Sequence, residues 1–239
     1  MADLMSPPQF HEALEQAREG NHSTRHPLSA AWANAELTRE QLGFYGTQHY
    51  YYIASIPQQF AQLYVRLPDL HARQHLLENL VGEEDPAAPD KRHPDLLLNF
   101  VEACGLPREV TMTAEQRDEI LPAVRAMRAW IWELVGFRTL AEASAGIMVA
   151  LEGQLPRIYS AYIAAMRSQG FTDDELEFFH VHVENDTEHA AIGLEICTSY
   201  ATTPELQAQA IAAVRASVAL RWQMLSSIYA ALPGRQQAA

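Results

Sequence analysis

Apolar positions in this chain recur three and four residues apart, and nowhere do they alternate with a period of two over a useful length. Gly and Pro are sparse, and they punctuate long stretches rich in Ala, Leu, Glu, Gln and Arg, which are strong helix formers. "LTREQLGFYGTQHYYYIASIPQQFAQLYVRL" opens with Thr38 and Gln41 at capping-box spacing and predicts one helix kinked at Pro57. "DLHARQHLLENLVGEE" (69–84) and "PDLLLNFVEACG" (94–105) predict two more, the second closed by Gly105. The stretch 113–134 predicts a helix bent at Pro122, and Gly136 to Gly170 a long segment with Pro156 in its middle. "TDDELEFFHVHVENDTEHAAIGLEICTSY" predicts a helix with Thr172 as its N-cap and Glu175 at N3, again a capping box, and a last helix runs from about Pro204 to about Leu232. The fold class expected is all-α, with seven or eight helices, some kinked, around one core.

Composition narrows the function classes. Of 239 residues, 48% are apolar and 20% charged, as in ordinary globular proteins, and one core can hold that length. A net charge of −13 and only 17 Lys and Arg argue against nucleic acid as a partner. No run approaches the roughly eighteen apolar residues of a membrane span, and the N-terminus lacks a basic start followed by an apolar run. Cys104 and Cys197 belong to no metal or redox motif, and two isolated thiols suit a reducing compartment. The expectation is a cytoplasmic protein with no membrane partner.

Candidate chemistry gathers in "HVENDTEHA". His182, Asp186 and His189 are offset by four and seven residues, so on a helix they project into one sector. Val181, Ile192 and Leu194 give the same helix apolar faces, so part of it is buried, and buried imidazoles and carboxylates require partners. Glu152 stands in the apolar stretch "MVALEGQLPRIYSAY", four residues before Pro156, whose ring clashes with the carbonyl of residue 152 and predicts a kink beside that carboxylate. "NLVGEEDPAAPDKRHPDLLLNF" adds Glu83 and Glu84 at the end of one helix and His93 at the start of the next. Carboxylates mixed with imidazoles, without thiolates, suit iron or manganese better than structural zinc. His71, His75 and Glu78 also share helical spacing, but their polar neighbours Arg73 and Gln74 favour a solvated face. His22, His26 and His49 are read as satisfied histidines.

These segments, together with "HPLSAAWANAELTREQLGFYGTQHYYYIASIPQQF", "ARQHLLENLVGEED", "HPDLLLNFVEACG" and "EGQLPRIYSAYI", resemble the CADD-like and pyrroloquinoline-quinone-synthase-like proteins. Those proteins belong to the heme-oxygenase-like superfamily and, within it, to the dinuclear iron oxidases. The resemblance runs over roughly residues 9 to 230 and implies a single heme-oxygenase-like helical domain spanning residues 1–239. It implies six metal ligands, Glu83, His93, Glu152, His182, Asp186 and His189, with Glu84 and Asp90 as alternatives for the first. It further implies two iron ions, with an iron–manganese pair compatible with the same donors, and homodimers, which members of the superfamily often form.

The function expected is a non-heme dinuclear iron oxidase or oxygenase that uses O2 on a small organic substrate. One alternative is p-aminobenzoate synthesis of the CADD type, in which part of the protein's own chain is consumed. The tyrosine and lysine side chains implicated there fall on Ser29, Leu151 and Tyr162, and none matches. Another alternative is a cofactor-independent oxidase like pyrroloquinoline quinone synthase. A thiaminase-type enzyme would need a nucleophilic cysteine in a context that neither Cys104 nor Cys197 offers, and a heme-binding module would use His26 as axial ligand. Phe44, Tyr51, Ile56, Phe60 and Trp32 are the expected pocket lining.

Overall fold

The structure is a computed structural model describing residues 3–84 and 86–235, with the side chains of residues 185–189 outside the description. Among the described residues every regular element is helical: α1 (Pro7–Glu19), α2 (Pro27–Ala33), α3 (Arg39–Ile53), α4 (Ile56–Tyr64), α5 (Leu70–Glu83), α6 (His93–Ala103), α7 (Arg108–Met112), α8 (Pro122–Phe137), α9 (Leu140–Ser144), α10 (Leu155–Ser168), α11 (Glu177–Tyr200) and α12 (Pro204–Ala230), with short 3₁₀ and π turns between some of them. No helix among them is long and apolar enough to cross a membrane.

The boundaries follow local chemistry. Thr38 and Gln41 close the expected capping box on α3, and Thr139 with Glu142 closes another on α9. Asp69 caps α5 by accepting from the Ala72 N–H at 2.7 Å. Beyond α6, Gly105 takes φ +91°, the Leu106 N–H donates to Val101 O and the Gly105 N–H to Glu102 O, which is a Schellman ending.

Two expectations are corrected by proline. The stretch around Pro57 is two helices, not one kinked helix. The carbonyl that the Pro57 ring would strike is that of Ile53, and Ile53 is where α3 ends. Pro122 likewise opens α8 at its first position instead of bending a longer helix. Pro156 acts as the sequence suggested. Regular α-helix stops at Ser144, continues as a π turn (Ala145–Val149) and a 3₁₀ turn (Glu152–Gln154), and resumes at Leu155.

The main core is aromatic at its centre. Trp32 stacks on Tyr162 with ring centroids 4.1 Å apart and planes 1° apart, and meets Tyr45 edge-on at 4.7 Å. Burying a side chain of this size contributes about 1.5–3 kcal/mol. Around it α10 packs on α11, α3 on α6, and α12 on α1, α8 and α9. The π turn lies directly against α11. A Cβ on Gly193 would fall 2.2 Å from the Met148 Cβ, so only glycine allows the two backbones this close. That approach brings the Glu152 break alongside the middle of α11.

Candidate metal centre

Three of the six expected ligands converge inside the helical shell. Glu83 is the last residue of α5, His93 the first of α6, and His182 lies in the second turn of α11. They are 8, 4 and 5% exposed, and one ligand atom from each falls within 4.8 Å of the others. Glu83 Oε1 is 3.1 Å from His93 Nδ1, and the His93 and His182 rings are 4.5 Å apart. The His182 Nδ1–H donates to Phe178 O at 2.6 Å, one turn earlier on the same helix. That bond fixes the tautomer and leaves Nε2 with its lone pair, which is how a metal-ligating histidine is commonly held.

The open choice for the first ligand is informed by its neighbours. Glu84 turns outward to Arg92, 2.6 Å away, while Arg92 also reaches Asp95. Asp90 sits in an exposed 3₁₀ turn. Glu83 alone of the three joins the buried cluster. Glu152 occupies the 3₁₀ turn at the helix break, half-buried, and is not a member of the three-residue group. Its charge nevertheless acts on Tyr52, as does that of Glu83. Burial pushes the Tyr52 phenol up, Arg221 opposes this, and Glu152 and Glu83 both add to it. Asp186 and His189 follow His182 along α11, and their side chains lie outside the described residues. The donor set suits iron: buried imidazoles and a carboxylate with no thiolate near them.

Beside this cluster lies a second buried group of polar and aromatic side chains that sequence reasoning did not assemble. It contains His49, Tyr45, Tyr52, Tyr159 and Tyr162, together with the guanidinium of Arg221 from α12, 2% exposed. The Tyr159 hydroxyl is 3.3 Å from His49 Nε2, and its ring is 5.8 Å from that of His182. Burial holds His49 well below the usual imidazole range, with Arg221 and His182 adding to it. Arg221 donates from Nε to Ser23 Oγ at 3.1 Å, and among the described residues no carboxylate lies within ion-pair distance of it. The only sequence signal for Arg221 was a lone arginine among apolar residues in "ASVALRWQM". Of the expected lining, Trp32, Ile56 and Phe60 are buried. Tyr51 is instead half-buried under Arg128 of α8, and Phe44 lines a surface groove with Glu40 and Val110.

The remaining candidates are accounted for locally. His26 Nδ1 accepts from the Leu28 N–H at 3.0 Å, so its Nε2–H donates to Ser226 Oγ at 2.9 Å and neither nitrogen is left for a heme iron. Burial pushes both His22 and His26 down to about 4. Burial raises the Cys104 and Cys197 thiols to about 12, the reverse of what a nucleophilic cysteine needs.

The profile of a family described as iron-containing redox enzymes matches residues 44–222, a span that contains Glu83, His93, Glu152 and His182. The chain belongs to that family. A 4-aminobenzoate synthase of Nitrosomonas europaea is 29% identical over 231 residues, covering 92% of this chain and 91% of that protein. A pyrroloquinoline-quinone synthase of Acidiphilium cryptum is 28% identical over 232 residues, covering 96% and 92%. Among solved structures, a domain of unknown function with a heme oxygenase-like fold from Shewanella denitrificans superposes with a TM-score of 0.75 at 16% identity, covering 99% of this chain and all of that one. The fold of this iron-containing redox enzyme is therefore heme-oxygenase-like and all-α, as the resemblance implied.

Proposed function

We propose that this protein is an O2-dependent non-heme oxidoreductase, in which Glu83, His93, Glu152, His182, Asp186 and His189 hold a pair of iron ions and a small carboxylate-bearing organic molecule is the substrate. The observation that carries the reading is the convergence of Glu83, His93 and His182 from three helices in the interior. Two imidazoles and a carboxylate gathered out of water are costly unless something compensates them, and a cation does so. Iron bound there supplies the redox chemistry toward dioxygen.

The chain's own residues set the rest. The Phe178 carbonyl keeps the His182 Nε2 lone pair aimed at the cluster. The helix break before Pro156 lets Glu152 lie opposite α11 instead of following a regular helical path. Trp32, Tyr45, Tyr159 and Tyr162 are buried beside the cluster and keep bulk water from that side of it. Arg221 supplies a buried positive charge that an organic carboxylate would neutralise, in a bidentate pair if its plane is free. Relatives named for 4-aminobenzoate and pyrroloquinoline quinone synthesis, both carboxylate-bearing products, support that substrate class. Ser29 accepts a hydrogen bond from Tyr162 at 2.7 Å, so these positions, where the CADD pattern departs, serve packing here and favour an external substrate over consumption of the chain.

The test is anaerobic reconstitution with ferrous iron followed by exposure to oxygen. The expected result is about two irons per chain and O2 uptake, both lost in His182→Ala. An iron-free protein with full turnover of a substrate in excess chelator would overturn the reading.

A further inference from the structure

A second set of metal-ligating side chains lies on the outer face of the molecule, and it joins two of the same helices. His71 and His75 stand one turn apart on α5, and Glu195 reaches them from α11. His71 Nε2 is 3.3 Å from His75 Nε2 and 3.2 Å from Glu195 Oε1, and the three ligand atoms lie within 4.8 Å of one another. These separations match a coordination polyhedron. A tetrahedral ion with ligands at about 2.0–2.1 Å has ligand atoms about 3.3 Å apart along every edge. Two edges of such a tetrahedron are thus already formed.

Hydrogen bonding alone serves this arrangement poorly. One atom, His71 Nε2, faces both neighbours, and it carries either a proton or a lone pair. A single N–H there must divide between Glu195 and His75, and a lone pair there would face the Glu195 oxygen. A cation between the three accepts an electron pair from each of them. The His75 Nδ1 lies 3.9 Å from Glu78 Oε2, so a carboxylate stands near the far side of the ring without hydrogen-bonding to it. The cluster borders an open depression of about 620 Å³ lined by His71, Gln74, His75, Leu77, Glu78 and Val81, from which water can complete the coordination.

We propose that His71, His75 and Glu195 form a peripheral divalent-cation site that takes zinc, with water in the fourth position, tying α5 to α11. Two imidazoles, one carboxylate and an open position are a donor set that suits this borderline cation. The site is separate from the iron centre and does not depend on the function proposed for it.

Full-length protein, loaded with ferrous iron under anaerobic conditions, is titrated with Zn²⁺ by calorimetry, alongside His71→Ala, Glu195→Gln and His182→Ala. Circular dichroism checks that each of the three variants is folded, including His182→Ala at its buried position, and iron content is assayed in parallel. The wild type should bind one equivalent of Zn²⁺ more than His71→Ala, with affinity about tenfold or more weaker in Glu195→Gln and iron content unchanged in both. His182→Ala should keep this equivalent. Equal zinc uptake by wild type and His71→Ala, or loss of the equivalent in His182→Ala alone, would overturn the proposal.

Discussion

Two clusters of the same residue types, each bridging α5 and α11, differ chiefly in what surrounds them. The interior cluster, Glu83 with His93 and His182, is at most 8% exposed. In the outer cluster the His71 and Glu195 side chains are 69 and 64% exposed. Water solvates most of the His71 and Glu195 side chains, so the outer cluster depends far less on an ion for compensation. In the interior the same groups lose solvation and depend on compensation. The family profile spans both clusters, and burial is what distinguishes the interior one, proposed to hold the iron, from the outer one.

The comparison is broken most severely by removing an interior ligand. Loss of a residue that only orients a ligand typically costs 10–100-fold in metal affinity, so His182→Ala should cost more than about a hundredfold. Iron retained after desalting measures it. Next in size is Gly193→Ala. Its new Cβ would overlap Met148, and the overpacking should cost about 1–3 kcal/mol in urea denaturation while loosening the iron site by displacing the π turn from α11.

Burial acts on other histidines in a way that pH reveals. His22 and His26 are depressed to about 4 by desolvation, while in the unfolded chain they titrate near 6.5. The unfolded state therefore binds more protons between these values. The stability they contribute is complete above pH 6.5 and is lost as pH falls toward 4. The melting temperature should fall across that window. In His26→Asn, which keeps an oxygen to cap α2, the fall should be shallower. The smallest effect belongs to the outer cluster. In the presence of chelator, His71→Ala should change stability by no more than about 0.5 kcal/mol, as surface substitutions usually do.

Much of this was legible in the sequence because it is local. The capping box at Thr38, the glycine ending at Gly105 and the break before Pro156 each arise within a few residues, and each is present. Thr172 and Glu175 also bond reciprocally, but they lead into a 3₁₀ turn (Asp174–Leu176), and α11 begins only at Glu177, later than a Thr172 cap predicts. Proline was misjudged where its i−4 carbonyl had an alternative to strain: at Pro57 and Pro122 the chain starts a new helix instead of bending an old one. The site was legible where spacing along one helix or across one loop brings ligands together, as with Glu83 and His93. It was not legible where partners come from distant elements. Glu195 replaces Glu78 beside His71 because α11 crosses α5 there, a relation no local pattern encodes. Arg221 likewise joins the buried tyrosines from the last helix, nearly 60 residues beyond Tyr162, by packing alone.

The central claim is that Glu83, His93 and His182 bind iron together. X-ray absorption at the iron edge, on anaerobically reconstituted protein, tests it most directly. The expected spectrum shows nitrogen and oxygen neighbours only, with imidazole scattering that weakens in His93→Ala and again in His93→Ala/His182→Ala, and is unchanged in His71→Ala. Imidazole scattering unchanged by loss of His93 and His182, or abolished by loss of His71, would contradict it.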